Sequence, residues 1–549
     1  MSVQARVSAT RFLFSVLLLI PVQFVAQSLA AENTAPPLYT DLGNLHYPIT
    51  ANDAAQAYFD QGLRLYYAFN HSEAIASFKE AQRLDTSCAM CWWGEAISWG
   101  PNINLPMDAP SGIAAYSALQ QALALSGNGT EKEQRLITAL SMRYEASPSA
   151  DRSAYDAAYS SAMQTVADQF PEDDDIVVLY GESIMDLSPW DYWTVANELR
   201  PGMDVALARI TAVLERSPQH PGACHFFIHA VEKVQPQRAV ACAEQLAAQM
   251  PGAGHLVHMP GHIYIRVGRY LDAVLANEHA VHADETFIQD RRPAPGMYTF
   301  GYYPHNYDFL AFAALMIGRE EQAIDAADKV ASLIPAEALL DPAVTYPQHY
   351  VIRSALVRIR FDRWQEILAM PDPGSSLPHA RAIWNYAQGR AMLANGNLAG
   401  AKQALTRVQE FATGSELANA RLEFNPSQSI LSIASAVLAG LIAEAEGNLE
   451  TALESLRLAV STEDALLYGE PPEWTVPVRQ ELGEVLLAAD MASAAETVFL
   501  EDLDHFPENA WSLAGLTKAL RAQGKNAEAV MSEERFRNVW EGTGFNPLD

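Results

Sequence analysis

The stretch Tyr58–Gly100, "YFDQGLRLYYAFNHSEAIASFKEAQRLDTSCAMCWWGEAISWG", decides the fold. From Gly62 a small or large residue recurs at fixed offsets: Ala74 twelve residues on, Phe78 at sixteen and Ala81 at nineteen. Trp92 then stands where Tyr58 stood and Ala96 where Gly62 stood, a repeat of 34 residues. The same ruler fits near the other end, with Gly483, Ala495, Phe499 and Pro507, followed by Trp511, Gly515 and Ala527. Further copies fit around Ala311, Gly389 and Gly440, with weaker ones around Phe227, Gly261 and Ala355. The apolar spacing is helical throughout, and no Asn-Gly hairpin separates alternating β-branched runs.

This pattern of small residues at helix contacts and large residues between them resembles the tetratricopeptide (TPR) superfamily. The resemblance implies an all-α fold, a TPR-like α-solenoid of antiparallel helix hairpins, none of which buries its apolar face without its neighbours. Long loops interrupt the array. They are "ISWGPNINLPMDAPSGI" after Ala96, "DLSPWDYWTVANELRPGM" after Gly181 and "HADETFIQDRRPAPGMYTFGYYP" between Gly261 and Ala311. Such inserts on a rigid array carry binding function or act as aromatic caps over hydrophobic joints. The divisions are a signal peptide over 1–30, an N-terminal linker over 31–50 and N-terminal repeats over 51–123. Degenerate repeats with the inserts follow over 124–380, and C-terminal repeats over 381–549.

The signal peptide is read from Arg6 and Arg11 before an apolar run from Phe12 to about Ala26, with Ser28 and Ala30 at a small-x-small cleavage site. It predicts an exported chain, periplasmic or secreted, with no membrane span after cleavage; an uncleaved anchor is the competing reading. The net charge of −30 repels phosphate backbones and anionic lipid, so nucleic acid is not an expected partner. Four cysteines are too few for a disulfide scaffold of this length. Cys88 and Cys91 form a CxxC, expected as a local disulfide. Cys224 and Cys242 fall opposite each other on one hairpin, as a staple or with Cys224 left as a thiolate ligand.

Nine of the fourteen histidines lie between His220 and His305, which makes their register the central question. With the small residue of each repeat set at position 8, His255, His258 and His262 take positions 2, 5 and 9 of a first helix. His305 and Asp308 take positions 2 and 5 of the next repeat, and His349 position 2 of the one after. His225, His229 and Glu232 take positions 6, 10 and 13 of the preceding repeat. Spacings of i, i+3 and i+7 share one helix face, and resemblance to TPRs implies that this face lines the concave wall. His279 and His282 map to a second helix, facing away. Pro260 predicts a kink that either converges the three histidines or spoils their alignment.

Imidazoles with carboxylates suit a transition metal, zinc or copper first among them, rather than calcium or magnesium. The predicted ligands are His225, His229, His255, His258, His262, His305, Glu232 and Asp308. Glu182, Arg266, Tyr302, Tyr303, Tyr307 and His349 are predicted to contact a peptide, protein or small-molecule ligand in the groove. No glycine-rich phosphate loop points to a nucleotide cofactor. Two alternatives stand beside this reading: a metal-dependent enzyme using the His/carboxylate cluster, and a metal-free peptide- or protein-binding scaffold. The segments "CAMCWWGEAISWGPNINLPM", "CHFFIHAVE" and "HLVHMPGHIYIRVGRY" together are similar to a subgroup of exported bacterial TPR proteins. That similarity groups the motifs and supplies no chemistry.

Overall fold

The computed structural model describes residues 36–341 and 345–548, and the leader read over 1–30 lies outside them. Among the described residues antiparallel helices follow one another with no β-sheet, three isolated bridges apart. The chain is a TPR-like α-solenoid.

The repeat ruler has a steric cause. Phe78, on the helix His71–Leu84, is wedged between Gly62 on Asp53–Tyr67 and Gly94 on Ala89–Ser98. A Cβ on Gly62 would come within 2.7 Å of the Phe78 ring, and one on Gly94 would overlap it outright. Phe499 is held in the same way between Gly483 and Gly515. Interiors packed to crystal-like density leave no room for even one added methyl at such contacts. The last repeat corrects the sequence reading. Ala529, not Ala527, is the buried fourth residue of the helix Asn526–Val539, so the register there shifts by two and Gly515 corresponds to Gly94.

Seven residues past the small position the hairpins turn through the left-handed region. Gly268, Gly318, Gly396, Gly447 and Gly524 do so with φ of +73° to +80°, where glycine has no Cβ to clash. Asp362 and Asp490 occupy the same turn, as short polar residues can. Phe69 occupies it too, with φ +54°. A bulky aromatic is an outlier there, and its ring is fully buried.

Both ends of the array pack back onto its middle. Residues 36–50 run as an extended segment whose Leu42 and Tyr47 are buried, and Gly252 donates its backbone N–H to the Asp41 carbonyl. At the other end Trp511 Nε1–H donates to the Leu315 carbonyl at 2.8 Å, and Trp540 packs against Gly318. The helix Ser427–Ala445 is long and apolar enough to cross a membrane by length and composition alone. Ile430, Leu431, Ala434 and Leu438 on it are buried in the second of the two hydrophobic cores.

Candidate metal centre

Four helices and one loop converge on the histidines. Pro221–Val231 carries His225 and His229 and ends on Glu232. Pro260 lacks the N–H that a continuous helix would use, so the next segment divides into Gly254–His258 and Pro260–Arg266. Tyr303–Met316 carries His305. The loop between Leu449–Asp464 and Val478–Ala488 brings in Glu470, whose oxygen reaches 3.1 Å from His262 Nδ1.

The imidazoles form two sets, and the division falls between His255 and His258 within the segment Gly254–His258, not at Pro260. His225, His229 and His255 offer ligand atoms all within 4.8 Å of one another, and so do His258, His262 and His305. The sets touch: the His229 and His262 rings are 5.4 Å apart, centre to centre, and His255 and His258 5.8 Å. Except for half-buried His305, every ring is at most 3% exposed. They line no open wall, because the Glu470 loop and the aromatic inserts cover them.

Outer partners fix how several rings face. His225 Nδ1 lies 2.7 Å from the Tyr67 carbonyl, which can only accept, so Nδ1 carries the proton and the Nε2 lone pair faces inward. His258 Nδ1 lies 2.7 Å from Asn277 Oδ1. Asn277 Nδ2 is committed to the Ala273 carbonyl at 2.8 Å, so its oxygen accepts from His258. His262 Nδ1 sits between Glu232 at 2.9 Å and Glu470 at 3.1 Å, close as ion pairs but off the line of a good hydrogen bond. Inside these shells the Nε2 atoms crowd together, His225 to His255 at 3.1 Å and His258 to His262 at 2.9 Å. Both nitrogens of His229, Nδ1 of His255 and both oxygens of Glu232 are buried with no hydrogen-bond partner. Folded proteins rarely leave so many buried polar atoms unmatched in one place.

The electrostatics agree with that arrangement for five of the six rings. Burial, reinforced by neighbouring imidazoles, holds His225, His229, His255, His258 and His305 well below the usual histidine range, in the neutral form that binds metals. Burial acts against protonation of His262 as well, but the Glu232 carboxylate and then Glu470 outweigh it and push this ring up to about 9. Burial raises both carboxyls above their ordinary range.

The structure does not bring all the predicted residues to this centre. Asp308 pairs instead with Arg353 at 2.5 Å, beside a small polar pocket also lined by Glu423 and Glu473. Tyr303 and Tyr307 both donate to Glu285, away from the imidazoles. Glu182 accepts from Tyr66 at 2.7 Å. His349 is tied to the Glu473 carbonyl and to His379. Arg266 reaches Glu470 at 3.6 Å, and the Tyr302 ring lies 4.6 Å from His255. Cys88 is bonded to Cys91, and Cys224 to Cys242, next to His225; with its sulfur in that bond Cys224 has no thiolate to offer a metal. His279 and His282 are exposed on the outer helix Tyr270–Arg291.

Sequence reasoning missed Glu470, Asn277 and two aromatic residues. Phe69 lies 4.4 Å from the His225 ring and stacks on His255 at 5.4 Å. Trp190, from the insert after Gly181, stands edge-on to His229 at 5.1 Å. Both hold φ above +50°, at +54° and +63°. Bulky residues persist in that region only where their surroundings over-determine them, commonly at functional sites. A cleft of about 620 Å³ opens on the far side of Phe69 and Tyr302, which form part of its wall. The signal for Glu470 was "YGEPPEWTVP", a proline-rich loop between Leu449–Asp464 and Val478–Ala488.

No family model matches the chain, and no curated protein matches it. Among solved structures, a human IFIT1 dimer with m7Gppp-AAAA is 12% identical, over 90% of this chain and 91% of that one, with a TM-score of 0.32. The Cut9–Hcn1 hetero-tetramer of the APC/C is 13% identical over 89% and 79%, also at 0.32. Naa15/Naa10 bound to HypK-THB is 14% identical over 88% and 70%, at 0.20. Likeness at this level carries no argument of its own, and the repeat architecture rests on the packing described above.

Proposed function

We propose that this chain is an exported metalloprotein, a TPR-like solenoid closed around a transition-metal site built from His225, His229, His255, His258, His262 and His305. The observation that carries the reading is that Nδ1 of His225, His258 and His262 is held from outside while Nε2 atoms face one another in a buried interior, where the nitrogens of His229 and Nδ1 of His255 are left without a partner. Metal-binding histidines are oriented by such outer hydrogen bonds to carbonyls and carboxylates. Zinc and copper suit this donor set. Glu232 and Glu470 supply negative charge, as outer partners of His262. Export is supported by the leader-like N-terminus and by two disulfides, which persist in oxidising compartments.

The cleft beside Phe69 and Tyr302 favours a second reading, metal-dependent turnover of a small substrate reaching the His225 set. A metal-free peptide groove is less well supported, because a peptide cannot reach rings that are at most 3% exposed.

The test is elemental analysis of untagged protein purified without chelator, followed by zinc and copper titration of the stripped protein. Bound metal at one or more ions per chain, reduced in His258→Ala with helicity retained, is expected. No metal on isolation and no uptake at micromolar concentration would overturn the reading.

A further inference from the structure

The geometry points to a centre of two ions bridged by one small anion, one ion on His225, His229 and His255 and the other on His258, His262 and His305. This rests on the metal reading above and extends it from a site to a pair. Each set brings three imidazoles within 4.8 Å of one another, so neither needs a ligand from the other. Three protein ligands leave a tetrahedral ion with one open position. The sets are in contact through His229 and His262 and through His255 and His258, so the two open positions face a shared interior.

A third grouping, Glu232 with His262 and Glu470, has the spacing of a metal site. It is better assigned as an outer shell. His262 Nδ1 meets the carboxylates while its Nε2 faces His258, the arrangement of a carboxylate–histidine–metal relay.

Charge favours a bridging anion. Two divalent ions bring four positive charges into a low-dielectric interior, where uncompensated charge is costly. Glu232 and Glu470 supply two negative charges, and Arg266 beside Glu470 adds a positive one. Asp308 is committed to Arg353. Hydroxide or a comparably small anion between the ions reduces the remaining excess, and paired ions of this kind sit about 3.5–4 Å apart.

The experiment is copper(II) titration of the stripped full chain carrying His279→Gln and His282→Gln, which removes the exposed pair as an adventitious site. Binding is counted by elemental analysis and spin by integrated electron paramagnetic resonance. Two ions per chain are expected, with far less signal than two isolated ions give, because a bridged pair couples. His305→Ala is expected to retain one ion with the full signal of one. One ion at saturation in the parent would overturn the pair and leave the metal reading standing; no ion would overturn both. Two ions with full, uncoupled signal would overturn the bridge. If His305→Ala fails to fold, count and coupling in the parent decide the matter alone.

Discussion

Asn277→Leu separates the proposed chemistry from simple packing. The side chain is fully buried, and leucine keeps its branching and number of heavy atoms. Its oxygen is the acceptor that keeps the proton of His258 on Nδ1, at 2.7 Å. Without it, His258 Nδ1–H has no acceptor, and the proton cannot move to Nε2, because the protonated His262 donates its own Nε2–H there, 2.9 Å away. An orphaned buried N–H costs about 1–3 kcal/mol, so stability should fall by about that much. Loss of an outer partner lowers metal affinity roughly 10–100-fold, about 1.4–2.7 kcal/mol. Competition against a chromophoric chelator measures affinity, and thermal unfolding of the stripped protein measures stability. The expected signature is metal binding weakened about 10–100-fold together with only a modest loss of stability. Unchanged affinity would refute the outer-shell argument, and so would a large stability loss with affinity intact.

Phe69→Gly should relieve about 1 kcal/mol of backbone cost but lose packing worth roughly 3–5 kcal/mol; the net destabilisation should accompany faster stripping of metal by chelator, because the cleft wall is opened. Cys224→Ala with Cys242→Ala should lower stability by about 2–4 kcal/mol in denaturant unfolding and weaken metal binding, since the bond holds the helix of His225. Burial pushes Glu463 up to about 8 from an ordinary 4.5, so the folded chain keeps a proton there that the unfolded chain has lost. Its contribution is therefore present below about pH 4.5 and falls by at most ~1.4 kcal/mol per unit as pH rises to about 8. Glu463→Gln, which keeps an acceptor for the Val478 N–H, should melt higher than the parent at pH 8 and show little difference at pH 5. Phe499→Ala should cost about 3–5 kcal/mol in thermal unfolding, because two glycines were shaped to its ring and cannot collapse into the void.

The fold was legible because a solenoid repeats its contacts: Gly62 and Phe78 state a rule that Gly483 and Phe499 restate. The rule failed by two residues in the last repeat, where Ala527 and Ala529 are both small and only burial distinguishes them. The histidines were legible because helical spacing places side chains on a common face without reference to anything distant. Spacing could not show that the histidines part between His255 and His258, which share one short helical segment, rather than at Pro260. Glu470 was hidden for another reason. It reaches His262 across about two hundred residues, and a repeat pattern reports nearest neighbours only. Phe69 was hidden in plain view, as an aromatic at a turn position that the other hairpins give to glycine or aspartate.

The inward folding of both ends has a consequence for how the centre comes into being. Solenoids ordinarily grow by adding each hairpin to the one before, so any stretch of a few repeats already has its final surroundings. Here Tyr67 from the first hairpin, histidines from the middle and Glu470 from the far end meet in one place. A partly emerged chain holds only fragments of that environment. On the metal reading, the centre therefore matures late, after the chain beyond residue 470 has folded back, and ions would enter a nearly finished protein rather than seed its assembly.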